Sequence, residues 1–297
     1  MNESRVHEWA TAADRASSGS ATKGLATARV SRYASRSIAV AIASTLLLGA
    51  AAPMQPSAAA TVVPVPGEAW QWMLSSVPKP ADLAATPEVR AWDIDGFDAS
   101  SEDVDDIHAL PATAVCYISA GSFENWRSDA GDFPDSVKGK NLDGWAGEKW
   151  LDIRQIAILE PIMSSRMQMC EEKGFDAVEA DNVDGYTNRS GFPLTATHQL
   201  AYNRMLADTA HALGLSIALK NDIEQVETLE PDFDFAINEQ CYQYNECGVY
   251  DAFADAGKAV WIVEYKTAIG SFCPKAIAAG YDAMKKKVNL GVYRVGC

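Results

Sequence analysis

Apolar residues along this chain gather into short, β-prone runs that give way to carboxylates and amides. Eight such runs stand out, at residues 70–73, 91–95, 114–119, 177–181, 216–220, 235–239, 260–264 and 291–295. Runs of this length bounded by turn residues read as strands. Between most of them the apolar spacing changes to the helical period. Residues 156–173 carry apolar positions at that period and stop at Gly174, a C-cap signal. Residues 197–213 repeat the design, with Thr195 or Thr197 as N-cap and Gly214 as the stop. Residues 277–288 predict another helix, its Lys285, Lys286 and Lys287 suited to the negative end of the helix dipole. Eight strands alternating with helices predict an α/β fold, a single-domain (β/α)₈ barrel. A long polar stretch, residues 122–150, follows the third strand. Barrel active sites lie at the C-terminal strand ends, so an insertion there is expected to sit over the site.

The first 60 residues follow another pattern. Arg29, Arg32 and Arg36 precede an uncharged apolar run, residues 38–52, and then Pro53, Pro56 and an Ala58-x-Ala60 motif. These are the n-region, h-region and cleavage site of an export signal. The run is too short to span a bilayer comfortably, and an uncleaved anchor is the alternative. The long basic stretch ahead of it leaves room for a start codon downstream of Met1. The expected organisation is a signal peptide at 1–60, a Pro-rich lead-in at 61–68 and the barrel at 69–297. The product is expected outside the cell, with no membrane contact once the leader is removed.

Residues 61–297 hold 19 basic and 37 acidic side chains, a net charge near −18. Such a field disfavours nucleic acid, whose phosphates need the opposite sign, and favours a polycationic ligand. Solubility alone also accounts for it. All six cysteines, Cys116, Cys170, Cys241, Cys247, Cys273 and Cys297, lie in this part. An even count in an exported chain predicts disulfides, with 15 connectivities open and Cys241–Cys247 the nearest pair.

The segment with most chemistry is Glu179-Ala-Asp-Asn-Val-Asp184. Alternation along a strand puts Glu179 and Asp181 on one face, and carboxylates crowded into a small volume repel and resist burial. Other runs end in Asp93-Ile-Asp95, Lys220-Asn-Asp222, Asn238-Glu239 and Glu264-Tyr265. Carboxylates gathered at several strand ends are what glycoside hydrolysis needs. Asp181 and Glu239 are the candidate nucleophile and acid/base, each ending a strand whose inward side chains share a layer of the barrel. Asp95, Glu179, Asp184, Asp222 and Glu264, with Asp93, form a second tier of substrate contacts. Lys220 pairs with a carboxylate or binds substrate oxygen. Tyr117, Tyr186 and Tyr265 fall near strand ends, where sugar C–H faces pack on rings. For each carboxylate the bland alternative is a helix cap or an ion pair.

Several chemistries lack their residues. Beyond position 60 the only histidines are His108, His198 and His211, none at a predicted strand end, so no metal site is expected. No cofactor is expected either: the glycine-rich nucleotide motifs are missing, as is a G-x-S-x-G elbow.

Five motifs together resemble glycoside hydrolase family 114, the endo-α-1,4-polygalactosaminidases. They are Cys116-Tyr-Ile-Ser-Ala-Gly-Ser122, Trp150-Leu-Asp-Ile-Arg154, Gly174-Phe-Asp-Ala-Val-Glu-Ala-Asp-Asn-Val-Asp-Gly-Tyr186, Leu219-Lys-Asn-Asp222 and Asn238-Glu-Gln-Cys241. The resemblance implies a (β/α)₈ barrel that cleaves α-1,4-linked galactosamine stretches of secreted or biofilm polysaccharides. It implies catalytic acids at Asp181 and Glu239, the strand-four Asp as nucleophile by analogy with related α-glycosidase barrels. The expected partner is a cationic galactosamine-rich polysaccharide, and the expected state a monomer. The alternatives are a non-catalytic glycan-binding barrel and a hydrolase of another amino-sugar or galactose polymer.

Overall fold

The computed structural model describes residues 61–297; the expected leader lies outside them. Eight parallel strands form the barrel sheet: β1 (Ala69–Met73), β2 (Val89–Asp95), β3 (Thr113–Ser119), β7 (Ala177–Asp181), β8 (Ser216–Lys220), β9 (Phe235–Glu239), β10 (Val260–Glu264) and β11 (Asp282–Lys285). A short antiparallel strand, β12 (Val295–Gly296), extends the edge. The insertion after β3 folds as its own antiparallel sheet of β4 (Ser122–Glu124), β5 (Lys138–Asn141) and β6 (Glu148–Leu151). The helices are α1 (Pro80–Ala85), α2 (Ser101–His108), α3 (Ile156–Glu172), α4 (Ala196–Ala212), α5 (Val226–Leu229), α6 (Cys241–Tyr244), α7 (Asp251–Asp255) and α8 (Ile269–Ala279). Thr195 caps α4 by accepting the His198 amide. Among the described residues no helix is long and apolar enough to cross a membrane.

The eighth strand differs from the sequence expectation. It is Asp282–Lys285, inside the predicted 277–288 helix, while Gly291 and its neighbours are loop. Gly280 adopts φ +74, the left-handed conformation that glycine reaches without penalty, and ends α8 there. The chain is thereby released into a strand, and Met284 joins the barrel interior. Lys286, expected at an exposed helix end, is buried and donates to Gln71 Oε1 at 2.6 Å and Gly291 O at 2.7 Å.

No continuous ladder joins β1 to β11. Across that seam Trp70 Nε1 donates to Asp282 O at 2.8 Å and Arg294 Nε to Trp70 O at 2.7 Å, and the Trp70 ring stacks on Trp261 of β10 at 4.5 Å. Inside the barrel Trp70, Trp72, Phe235 and Trp261 are at most 1% exposed. Burial of each such ring contributes roughly 3 kcal/mol. The outer core packs the other strand faces on the helices. Three disulfides, Cys116–Cys170, Cys241–Cys247 and Cys273–Cys297, tie loops and helices to this frame.

Candidate active site

Strand alternation decides what reaches the mouth of the barrel. Ala91, Val115, Ala177, Ala218, Ile237 and Val263 belong to the interior core, so the residues two further along point inward as well. Those are Asp93, Tyr117, Glu179, Lys220, Glu239 and Tyr265, followed on β7 by Asp181. Each column is apolar at depth and polar at the rim.

Lys220 is the hub. Its Nζ lies 2.8 Å from Glu179 Oε1, 2.9 Å from Asp181 Oδ1 and 3.3 Å from Glu239 Oε1, and 4.6 Å above the Trp72 ring centre. Burial opposes the charge on this ammonium, but Asp181, Glu179 and Glu239 outweigh it and hold Lys220 well above the ordinary lysine range. Asp93 sits beside Glu179 in full burial. Desolvation, then the neighbouring Glu179 charge, raises Asp93 well above the usual carboxyl range, and burial raises Glu179 as well, opposed by the Lys220 ammonium.

Asp181 Oδ2 accepts from the Tyr117 hydroxyl at 3.0 Å and from Asn182 Nδ2 at 3.2 Å. Glu239 Oε2 accepts from the Tyr265 hydroxyl, and the Glu239 amide donates to Asn221 Oδ1 at 3.0 Å. Burial raises both phenols well above the usual tyrosine range, so they stay donors. Asn182 (φ 65), Asn221 (φ 53) and Gln240 (φ 67) are left-handed, one directly after each of β7, β8 and β9. Such backbone costs on the order of 1 kcal/mol for a residue with a Cβ and clusters where function requires it. Here it turns the chain sharply away, leaving the side chains at the strand ends exposed to the cavity.

That cavity, about 260 Å³, lies between the strand ends and the insertion. Asp181, Glu239, Tyr117, Asp184 and Tyr265 line it, with Glu179 and Lys220 directly beneath. Four expected contacts lie elsewhere. Asp95 forms a two-pronged pair with Arg127 at 2.6 and 2.8 Å. Asp222 is buried against Asn203 at 2.9 Å. Tyr186 donates to Glu224 at 3.1 Å. Glu264 faces outward, because Val263 faces in, and accepts the Tyr242 and Gln243 amides at the start of α6. The insertion contributes residues that were not among the expected contacts: Glu148, half-exposed Trp145 and buried Trp150. The Trp145-Ala-Gly-Glu-Lys-Trp150 stretch, two tryptophans and an acid in a segment expected over the site, was the available signal. Among the described residues no group of three or more His, Cys, Asp or Glu side chains is arranged to hold a metal ion.

Comparison with known proteins points the same way. Among curated proteins none matches this chain. The structure of Aspergillus fumigatus Ega3 in complex with galactosamine is 34% identical, over 82% of this chain and 100% of that one, with a TM-score of 0.74. The glycoside hydrolase domain of PelA from Pseudomonas aeruginosa shares the fold at 15% identity, over 78% of this chain and 98% of that domain, with a TM-score of 0.60. The model of glycoside-hydrolase family GH114 matches residues 51–297. With that match spanning the whole barrel, this chain belongs to glycoside hydrolase family GH114.

Proposed function

We propose that this protein is a secreted, endo-acting hydrolase of α-1,4-linked galactosamine polymers, with Asp181 as nucleophile and Glu239 as acid/base. The observation that carries the reading is the shared contact at Lys220. One ammonium touches an oxygen of each carboxylate, so those two oxygens are separated by at most the sum of the two distances, 6.2 Å. Inverting glycosidases hold their carboxyl groups about 6.5–9.5 Å apart to fit a water, and retaining ones about 5–5.5 Å. The bound accommodates the retaining spacing. Asp181 attacks the anomeric carbon as the glycosidic C–O bond breaks, and Glu239 gives its proton to the departing oxygen. Water then cleaves the glycosyl ester, and Glu239 takes the proton back. Lys220, Tyr117 and Asn182 hold the Asp181 carboxylate from behind, which fixes its line of attack.

The substrate class rests on charge and kinship. Apart from the buried Glu148, five acidic residues line the cavity (Asp143, Asp181, Asp184, Glu239 and Glu246) against one basic residue, Arg189. A polymer with one ammonium per sugar suits that lining. Ega3, 34% identical, was solved with galactosamine. Export is supported by the leader pattern and by three disulfides, which persist in oxidising compartments. Residues 1–60 would be removed, leaving the lead-in at 61–68 and the barrel at 69–297. The test is Asp181→Asn and Glu239→Gln assayed on purified galactosamine polymer. Each is expected to lose at least about 10³-fold in kcat with its fold intact, and the double variant to be little worse. Near-native turnover in either single variant removes that residue from its role.

A further inference from the structure

Glu148 is buried, lines the cavity and has no part in the chemistry proposed above. It stands on β6 of the insertion, yet a row of hydrogen bonds joins it to Asp181 on β7. Asn182 Nδ2 reaches both Asp181 Oδ2, at 3.2 Å, and Ser119 Oγ, at 2.9 Å. Ser119 Oγ and Ser122 Oγ are 2.7 Å apart, and Ser122 Oγ donates to Glu148 Oε2 at 2.8 Å. Each hydroxyl has one hydrogen to give, so the row runs in one sense: Asn182 to Ser119, Ser119 to Ser122, Ser122 to Glu148. Reversing it would turn the Asn182 carbonyl oxygen onto the Asp181 carboxylate, acceptor against acceptor.

The backbone around this row is held on all sides. Arg166 Nη1 donates to Ser119 O at 2.6 Å and the Tyr202 hydroxyl to Ala120 O at 2.7 Å. The Ala120 and Gly121 amides both donate to Asp181 O, at 2.9 and 3.0 Å. A Cβ at position 121 would collide with the Asn182 carbonyl, so only glycine allows this approach.

We infer that Glu148 is a positioning residue, the terminal acceptor that makes Asn182 aim its N–H at Asp181 and so ties the insertion sheet to the nucleophile. The inference rests on the role proposed for Asp181. Burial, with Glu124 and Asp181 nearby, raises the Glu148 carboxyl to about 8. Near neutrality it is therefore an uncharged acid, and the relay uses its acceptor oxygen rather than its charge.

Steady-state kinetics on galactosamine polymer test this with Ser122→Ala, Glu148→Ala, Glu148→Gln, the double alanine variant and Asp181→Asn. Ser122→Ala and Glu148→Ala are expected to lose about tenfold in kcat with KM unchanged, as a small misplacement of a reacting group does. The double variant should lose no more than either single one. Glu148→Gln still offers an amide oxygen to Ser122 and should keep near wild-type kcat. Ser122→Ala removes one oxygen atom and keeps the test open should Glu148→Ala fail to fold. An inactive Asp181→Asn beside a fully active Ser122→Ala overturns the relay alone. A raised KM with unchanged kcat in both Glu148 variants also overturns it, by placing Glu148 on the substrate. An active Asp181→Asn overturns the catalytic assignment and the relay with it.

Discussion

Asp222 illustrates how a single buried carboxyl sets a pH dependence. Burial, then Asp184 and Glu224, raises it to about 8, while Asn203 donates to one of its oxygens. The folded state holds a proton that the unfolded chain releases near pH 4, so its contribution is complete below about pH 4 and lost as pH rises through about 8. Glu148, raised to about 8, has the same sign. Thermal unfolding should therefore show Tm falling between pH 5 and 9. Asp222→Asn, which keeps an acceptor for Asn203, should flatten that fall and raise Tm at pH 9 by about 2–4 °C per kcal/mol recovered. An unchanged pH profile in the variant would remove Asp222 as a cause. At this scale the sequence was legible only as far as the strand period. Glu179, Asp181, Lys220 and Glu239 lie in phase with the inward core and reach the site. Glu264 is one residue out of phase, and Val263 was the clue that it faces the helices. Asp222 lies beyond a left-handed turn at Asn221, where alternation no longer applies.

At the scale of elements the insertion after β3 closes one wall of the cavity, and Cys116–Cys170 brackets it. This bridge joins β3 to α3 across a sequence separation of 54, the widest of the three. Chain-entropy closure over that span is worth about 4 kcal/mol. Replacing both cysteines with alanine is expected to lower Tm by roughly 8–16 °C at about 2–4 °C per kcal/mol. A Tm within a degree of wild type would mean that the described frame, not the bridge, holds β3 to α3. The helices α3 and α4 were readable to within a residue or so because Gly174 and Gly214 mark their stops. The eighth strand was hidden by its own lysines. Lys285, Lys286 and Lys287 look like a helix end, but Gly280 had already stopped the helix, and Lys286 is held by hydrogen bonds to backbone and amide oxygens at the β1–β11 seam. That partnership spans 215 positions, beyond the reach of any local pattern.

At the scale of the whole molecule, strand–helix alternation made the barrel legible, and the net charge near −18 of residues 61–297 is the ground for expecting a cationic partner. The charge also carries a prediction. Salt shortens the Debye length from about 10 Å at 0.1 M to about 3 Å at 1 M, so KM for a deacetylated polymer should rise at least about threefold over that range with kcat little changed. An N-acetylated polymer should show a higher KM at low salt and little salt response. Equal KM values for the two polymers, insensitive to salt, would make the acidic lining irrelevant to selection. The double displacement proposed for Asp181 and Glu239 is tested most directly by trapping. Glu239→Gln incubated with an α-galactosaminyl fluoride forms the ester without needing an acid, then lacks the base to release it. Peptide mapping by mass spectrometry is expected to find one galactosaminyl group on the peptide containing Asp181. A glycosyl group on another carboxylate, or no adduct in an enzyme whose first product has the inverted anomeric configuration, would contradict it.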